Sequence, residues 1–213
     1  MPKVPKEFKI IERVEAFVAR RNKLNEQATT WAQHKDNWNT CTACELSKGR
    51  CKVVLARGAI TCSVLFVAEA PGQSEDALGR PFVGNAGKLL DEIIGDALSM
   101  ARSPHKIKML FSYLVACIPV DENGRKTHEP SKESIKACAP RIQELVNIAK
   151  PKAIVMVGKT AQKHAPISID YDFEDSLNIT HPAALLRLDS SQMPLALQRT
   201  AVSLRDLFDR ISI

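Results

Sequence analysis

No apolar run in this chain comes near the roughly 20 consecutive residues that a membrane-spanning helix needs, which excludes a helical membrane protein. The lysine-bearing N-terminus has no apolar centre of the kind a secretory signal peptide requires, so the expected compartment is the cytoplasm. Internal repeats and low-complexity tracts are also missing, which removes solenoids and long disordered segments from consideration. Cysteine is the exception to this spareness. Six thiols in a reducing compartment argue for metal or redox chemistry and against a disulfide framework. With 213 residues, 45% of them hydrophobic, the chain can bury the core of one ordinary domain and a short appendage. A formal charge of +6 suits a polyanionic partner without requiring one, since many basic proteins bind no nucleic acid.

Residues 1–40 read as a helical extension. Between 6 and about 38, Phe8, Ile11, Val14, Phe17 and Val18 fall at the spacings of an amphipathic helix, with Arg20, Arg21 and Lys23 on its polar face. That basic face fits the solvated side of a packing helix better than a DNA contact. From 41 to 213 the texture changes. The runs SVLFVA (63–68), KMLFSYLVAC (108–117) and KAIVMVG (152–158) alternate with the helical patterns AGKLLDEIIGDALSMA and KESIKACAPRIQELVNIA. Nearly continuous Val, Ile and Leu strands between helices predict one α/β domain, a three-layer sandwich around a central, mostly parallel sheet.

Ligands of such sheets bind beyond the carboxyl ends of the strands. The first strand runs into AEAPGQSEDALGRPFVGNAG (68–87), which holds far more glycine, proline and acid than a turn requires. The second runs into CIPVDENGRKTHEP, and the third into GKTAQKH, where Gly158 is placed to open a helix. A further apolar segment, SLNIT, ends at His181 and Pro182 in THPAALLR. Glycine, proline, carboxylate or histidine at every exit predicts one composite site.

Cys41 and Cys44 form a C-x2-C pair, a spacing at which two thiolates bind one metal or cluster through a single tight loop. Two further ligands must come from Cys51, Cys62, Cys117 and Cys138. Cys62 opens a predicted buried strand, where a free cysteine acts as a small hydrophobe. A set that joined Cys44 to Cys117 would clip the N-terminal segment to the body. Four thiolates satisfy an iron–sulfur cluster and zinc equally well.

The order of these motifs resembles the family-4 uracil-DNA glycosylases, the iron–sulfur branch of the uracil-DNA glycosylase superfamily. It runs C-x2-C, EAPGQSEDALGRPFVGNAGKLL, an apolar strand ending in cysteine, a second cysteine on a helix, and HPAALLR. The likeness covers roughly residues 41–210 and leaves residues 1–40 unassigned, an extension longer than that family usually carries. It implies a uracil-DNA glycosylase-like fold and a monofunctional DNA glycosylase. Such an enzyme is expected to act as a monomer on DNA and no membrane, flipping the target nucleotide out of the stack and hydrolysing its N-glycosidic bond. The reaction must stabilise a cationic sugar and an anionic leaving base.

By the same resemblance, Glu69, Ala70, Pro71 and Gly72 line the base pocket, and Glu75 positions or activates water. Phe82 stacks on the base, a contact worth about 1–3 kcal/mol, while Asp76 is expected to be a cap or loop anchor. His181 hydrogen-bonds the base carbonyl and steadies its charge, held extended by Pro182. Leu185, Leu186 and Arg187 begin the wedge that enters the duplex. The implied cofactor is a 4Fe–4S cluster on Cys41, Cys44, Cys117 and Cys138, with zinc as the alternative and Cys51 and Cys62 left free.

Departures from the family pattern bear on substrate. Where the family carries an asparagine, two apolar residues and Lys-Cys-Arg-Pro, this strand reads YLVACIP. Tyr113 stands at the asparagine, Ala116 at the lysine and Ile118 at the arginine. One asparagine amide offers an acceptor for N3–H and a donor for O4 of uracil; a phenol cannot supply that pair, so uracil discrimination should suffer. Asn123, in DENGR, stands near a second family asparagine, in a loop between Cys117 and Cys138 that is a few residues longer than usual. Three readings follow. The first is a glycosylase that keeps Glu75, His181 and Phe82 but prefers a modified pyrimidine, such as the hypermodified bases of some phage DNA. The second is an ordinary uracil-DNA repair glycosylase that tolerates Tyr113. The third is a catalytically silent iron–sulfur DNA-binding module. Retention of Glu75 and His181 weighs against the third, and Tyr113 against the second.

Overall fold

The three apolar runs form the middle of one sheet. In the computed structural model, which describes residues 30–121 and 127–212, the strands are β1 (Arg57–Gly58), β2 (Val64–Ala68), β3 (Met109–Tyr113), β4 (Ala153–Val157) and β5 (Asp175–Ile179). They lie in the order β1-β3-β2-β4-β5, all parallel except the two-residue β1, which runs antiparallel to β3. Along β2, Val64, Phe66 and Ala68 point to one face and Leu65 and Val67 to the other. Both faces are covered, which is why the run is continuously apolar.

The helices are α1 (Trp31–Trp38), α2 (Gln73–Leu78), α3 (Asn85–Met100), α4 (Lys132–Ala149), α5 (Lys159–Ser168), α6 (Pro182–Leu185) and α7 (Met193–Ile211). Leu90 and Ile93 of α3 and Leu204 and Phe208 of α7 cover one face of the sheet. Ile142 and Leu145 of α4 and Ala161 and Ala165 of α5 cover the other, completing the three layers. Among the described residues no helix is long and apolar enough to cross a membrane.

Register brings the strand exits together. Ala68 pairs with Tyr113, and Val157 with Ile179. The β2–β3 ladder continues past its last strand residues, with Leu114 N–H donating to the Ala68 carbonyl at 2.8 Å and Val115 N–H to that of Glu69 at 3.2 Å. The segments carrying Glu69–Gly72 and Leu114–Cys117 therefore leave the sheet side by side.

Of the helix expected between 6 and about 38, residues up to 29 lie outside the described ones; Trp31–Trp38 is helical and rests on α4. Thr30 caps it: its hydroxyl accepts Gln33 N–H at 3.3 Å, and Gln33 Oε1 accepts Thr30 N–H at 3.0 Å. The contact with α4 is partly polar. His34 Nδ1 lies 2.8 Å from Oε1 of Glu144, both side chains fully buried, and Asn37 donates to both Glu144 oxygens at 3.4 Å.

Nδ1–H donates to the Glu144 carboxylate, so the neutral ring leaves Nε2 as an acceptor without a partner. A second proton there would be buried with nothing to receive it. Burial accordingly holds His34 below the ordinary histidine value, although Glu144 pulls the other way. With the folded pKa depressed, the unfolded chain binds more protons as the pH falls. This contribution to stability is present above about pH 6.5 and lost below it. The urea midpoint should therefore drop between about pH 7.5 and about pH 5.5 more steeply in the native chain than in His34→Leu. Parallel profiles would mean that His34 titrates alike in the folded and unfolded chains, and a reversed difference that it is charged in the folded state.

Candidate active site

At the exit of β2, the two adjacent acids each gather backbone donors. Glu75, only 7% exposed, accepts Gly72 N–H on Oε2 at 3.1 Å. Its Oε1 accepts Val83 N–H at 2.9 Å and Gly84 N–H at 2.7 Å. These charge-assisted bonds tie the start of α2 to the loop that enters α3. A Cβ on Gly72 would lie 2.9 Å from Oε2, so the carboxylate occupies the space a side chain would need. Asp76 accepts Cys51 N–H at 2.9 Å and Lys52 N–H at 3.2 Å, the loop anchor expected of it.

Between α2 and α3, just before the donor Val83, sits Phe82, with a φ of 54°. For a bulky residue that left-handed conformation costs roughly 1–2 kcal/mol and needs outside support. Support comes from Phe82 N–H, which donates to the Tyr113 hydroxyl at 2.8 Å. The two rings also stack, with centroids 5.0 Å apart and planes inclined by 21°, and Phe111 meets Phe82 edge-on at 5.7 Å. A Cβ on Gly87 would fall 2.1 Å from the Phe82 carbonyl oxygen, so that turn requires glycine. Phe82 and Tyr113 are 4% and 3% exposed. In this conformation Tyr113 covers the ring face on which a base was expected to stack. Burial, reinforced by the charge of Glu75, pushes the Tyr113 hydroxyl well above the ordinary phenol range, and it stays protonated.

His181 caps α6, its Nδ1 accepting Ala183 N–H at 3.1 Å. That bond fixes the tautomer, placing the ring proton on Nε2 as a free donor. Burial and then the charge of Arg187 hold His181 below its usual value, with Glu75 opposing, so the ring is neutral near pH 7. Gly158, at a φ of 88°, opens α5 as expected and packs under this ring. A Cβ there would lie 3.0 Å from the His181 Cβ and 3.3 Å from Cδ2. Gly158 beyond β4 thus packs against His181 beyond β5, and Tyr113 at the end of β3 bonds Phe82 beyond β2, so the exits meet in neighbouring pairs.

One wedge residue needs correction. Leu185 is 3% exposed and belongs to the core beneath α6, because a single helical turn points it inward. The next residue, Leu186, is 44% exposed, and Arg187 is exposed beside it. Asn123 lies outside the described residues.

Cys41, Cys44, Cys117 and Cys138 line a single apolar cavity together with Trp38, Leu46 and Val115. Two guanidinium groups address the sulfurs: Arg50 Nη1 donates to Cys117 Sγ and Arg141 Nε to Cys138 Sγ, both at 3.3 Å. Burial, with the neighbouring thiols adding, pushes Cys44 up to about 11 and Cys117 up to about 12, so ligation there releases protons. Among the described residues, no three metal-ligating side chains are gathered closely enough for a single metal ion. Cys62 is packed in the core and pushed up to about 12 by burial, the small hydrophobe expected; Cys51 is exposed. Sequence reasoning gave no role to Arg50, Arg141, His34 or Glu144. The one usable signal was the i, i+3 spacing that puts Cys138 and Arg141 on one face of α4.

The family model described as the Uracil DNA glycosylase superfamily matches residues 55–205. The Type-4 uracil-DNA glycosylase of Sulfurisphaera tokodaii is 35% identical over 130 residues, 61% of this chain and 55% of the relative. Those of Saccharolobus solfataricus and Pyrobaculum aerophilum are 34% identical over 124 residues and 37% over 123, each 58% of this chain and 53% and 58% of the relative. The chain thus matches a little over half the length of these curated relatives.

Glu75→Gln tests the loop assignment. It removes the charge and turns an amide NH2 toward backbone donors, so unfolding stability should fall by about 2–3 kcal/mol, with faster hydrogen exchange at Val83 and Gly84. Unchanged stability and exchange would deny Glu75 its anchoring role.

Proposed function

Because this chain belongs to the uracil-DNA glycosylase superfamily, we propose that it is a monofunctional DNA glycosylase whose base choice has moved from uracil to a modified pyrimidine. In the reaction the bond from C1′ to the base breaks, water supplies the oxygen to C1′, and charge accumulates on the leaving base. Neutral His181, with its proton fixed on Nε2, is the donor that meets the developing negative charge on the base carbonyl. Glu75 has about four lone-pair sites and uses three on backbone donors. The remaining one can orient a single water, and its charge favours the cationic sugar. Main chain of Glu69–Gly72 lines the pocket, and Leu186 with Arg187 enters the duplex as the base leaves.

The observation that carries the altered base choice is the Tyr113–Phe82 stack. An asparagine in Tyr113's place would leave the Phe82 face uncovered and supply the paired donor and acceptor that uracil needs. Tyr113 removes both, so a base must displace the phenol or bind against its edge. The uracil-repair reading draws on the relatives' printed name, and the silent-module reading on the covered ring face. DNA modified by phage is the natural source of such pyrimidines, which gives the activity a defensive use in the cytoplasm.

The four cysteines in one cavity support a 4Fe–4S cluster that clips the segment before residue 45 to the body. Four thiol donors addressed by the Arg50 and Arg141 guanidinium groups are the donor set of such a cluster, and zinc is the alternative cofactor.

Two measurements bear on this reading. Anaerobically purified protein would be incubated with uracil-containing DNA and with DNA carrying hydroxymethylated or glucosylated pyrimidines, and the released bases identified by mass spectrometry. Release of a modified base alone is expected, with Tyr113→Asn gaining uracil release. Uracil release by the native chain would make it a repair glycosylase, and silence on every substrate would leave a DNA-binding module. Separately, His181→Ala should lower kcat by about 10²–10³-fold while DNA affinity holds; equal losses in both would remove His181 from the chemistry.

A further inference from the structure

Tyr113 is the last residue of β3, and its main chain is pinned at several points. It pairs with Ala68 of β2, its carbonyl accepts a guanidinium N–H of Arg141, and the next residue, Leu114, donates to the Ala68 carbonyl at 2.8 Å. The side chain is held differently. Among the described residues its hydroxyl bonds only Phe82 N–H, at 2.8 Å, and its ring lies on the Phe82 ring with centroids 5.0 Å apart and planes inclined by 21°. A fixed backbone and a side chain with one polar tether describe a group that can turn about its Cα–Cβ bond between staggered positions without disturbing the sheet.

What the phenol does for Phe82 is what a pyrimidine would do. A flat six-membered ring covers the ring face, and an oxygen carried outside that ring accepts the backbone N–H. Pyrimidine bases offer the same pair, a π-face and an exocyclic carbonyl oxygen. Phe82 and Tyr113 are 4% and 3% exposed, so the face is shut to solvent as it stands. A buried donor left without an acceptor is destabilising, and more so on the left-handed backbone of Phe82. The phenol therefore leaves only when an equivalent group takes its place.

We propose that Tyr113 is an internal stand-in for the base and a gate on the pocket: the flipped base enters by displacing the phenol from Phe82 and takes over both its stack and its hydrogen bond. The inference rests on the glycosylase reading for what enters the pocket. Closure sets a threshold on admission. A pocket that is open in only a fraction of molecules has its apparent affinity for any base reduced by that fraction. A base is admitted when its contacts exceed those the phenol already makes. An unmodified pyrimidine replaces like with like, whereas a substituent on the ring supplies the difference, so a closed pocket prefers a modified base.

The test uses the two tyrosines of the chain, Tyr113 and Tyr171, as reporters. Protein made with ring-fluorinated tyrosine gives one fluorine NMR signal from each, and Tyr171→Phe assigns them. Duplexes carrying hydroxymethyluracil or hydroxymethylcytosine on a sugar fluorinated at C2′ are then added, since that fluorine disfavours the cationic sugar and keeps the base attached. With at least one of them the Tyr113 signal is expected to move toward its position in urea-unfolded protein, while a duplex of ordinary base pairs leaves it in place. Binding of a duplex whose base the chain excises, with the Tyr113 signal unmoved, overturns the gate and leaves the glycosylase reading standing. An equal shift with the ordinary duplex does the same, because the motion would then follow DNA contact alone. Failure to release the base from either duplex when its sugar is not fluorinated overturns the proposed base choice and the gate with it. Tyr113→Phe gives a second measurement: it keeps the ring and removes the oxygen, which weakens the closed state. It should bind the fluorinated duplex about three- to tenfold more tightly than the native chain, and equal or weaker binding overturns the gate. Should Tyr171→Phe fail to fold, this affinity decides; should Tyr113→Phe fail, the fluorine signal does.

Discussion

Three backbone N–H groups converge on the carboxylate of Glu75, and the site follows from that convergence. Gly72, Val83 and Gly84 are brought to one buried charge, so the chain between α2 and α3 must turn tightly enough to put Phe82 in a left-handed conformation. That strain is met from across the sheet by the hydroxyl of Tyr113 and its ring. Glycine at 72 and 87 is then a spatial requirement, because a methyl group at either would strike the carboxylate or the Phe82 main chain. Replacing the carboxylate disturbs every element in this chain of contacts, whereas replacing Tyr113 disturbs only the last.

Charge is distributed unevenly through the interior. Around the reaction spot the titratable side chains His181 and Tyr113 are kept neutral by burial, leaving Glu75 as the charge, and its bonds to main chain hold it in place. Around the cysteine cavity lie buried or half-buried cations, Arg50 and Arg141, with Glu144 one turn along α4 and neutral His34 packed on it. Neutral donors at the first place suit a leaving group that becomes negative; cations at the second suit sulfur ligands that do. On the proposed reading, one sheet carries two anion-stabilising sites of different kinds.

Much of the fold could be read from the sequence because β2, β3 and β4 are buried on both faces and announce themselves as continuous apolar runs. β1 could not, being two residues long and defined by pairing alone. The gathering of Glu75, Phe82, Tyr113 and His181 was legible because each sits at a strand exit, and exits of parallel strands share one edge. Leu185 was misplaced as a wedge because a four-residue helix has too few turns for periodicity to show which leucine faces inward. The carboxylate's three backbone partners were invisible for a different reason: main-chain donors leave no residue signature. Arg141 drew no reading, since nothing in an amphipathic helix pattern distinguishes an arginine that solvates from one that holds carbonyls in the core.

The position of Tyr113 bears on the base choice proposed for this pocket. An asparagine reads a base by its amide edge and leaves neighbouring rings open. A tyrosine at the same strand position brings a ring large enough to cover Phe82 and a hydroxyl that satisfies its backbone, so the substitution rebuilds the floor of the pocket as well as its edge. The supports of His181 and Glu75 are separate from it, because His181 takes its tautomer from Ala183 and its seat from Gly158, and Glu75 takes its place from main chain. On the proposed reading, recognition and hydrolysis rest on separate supports, which is the physical condition under which one can change while the other is retained.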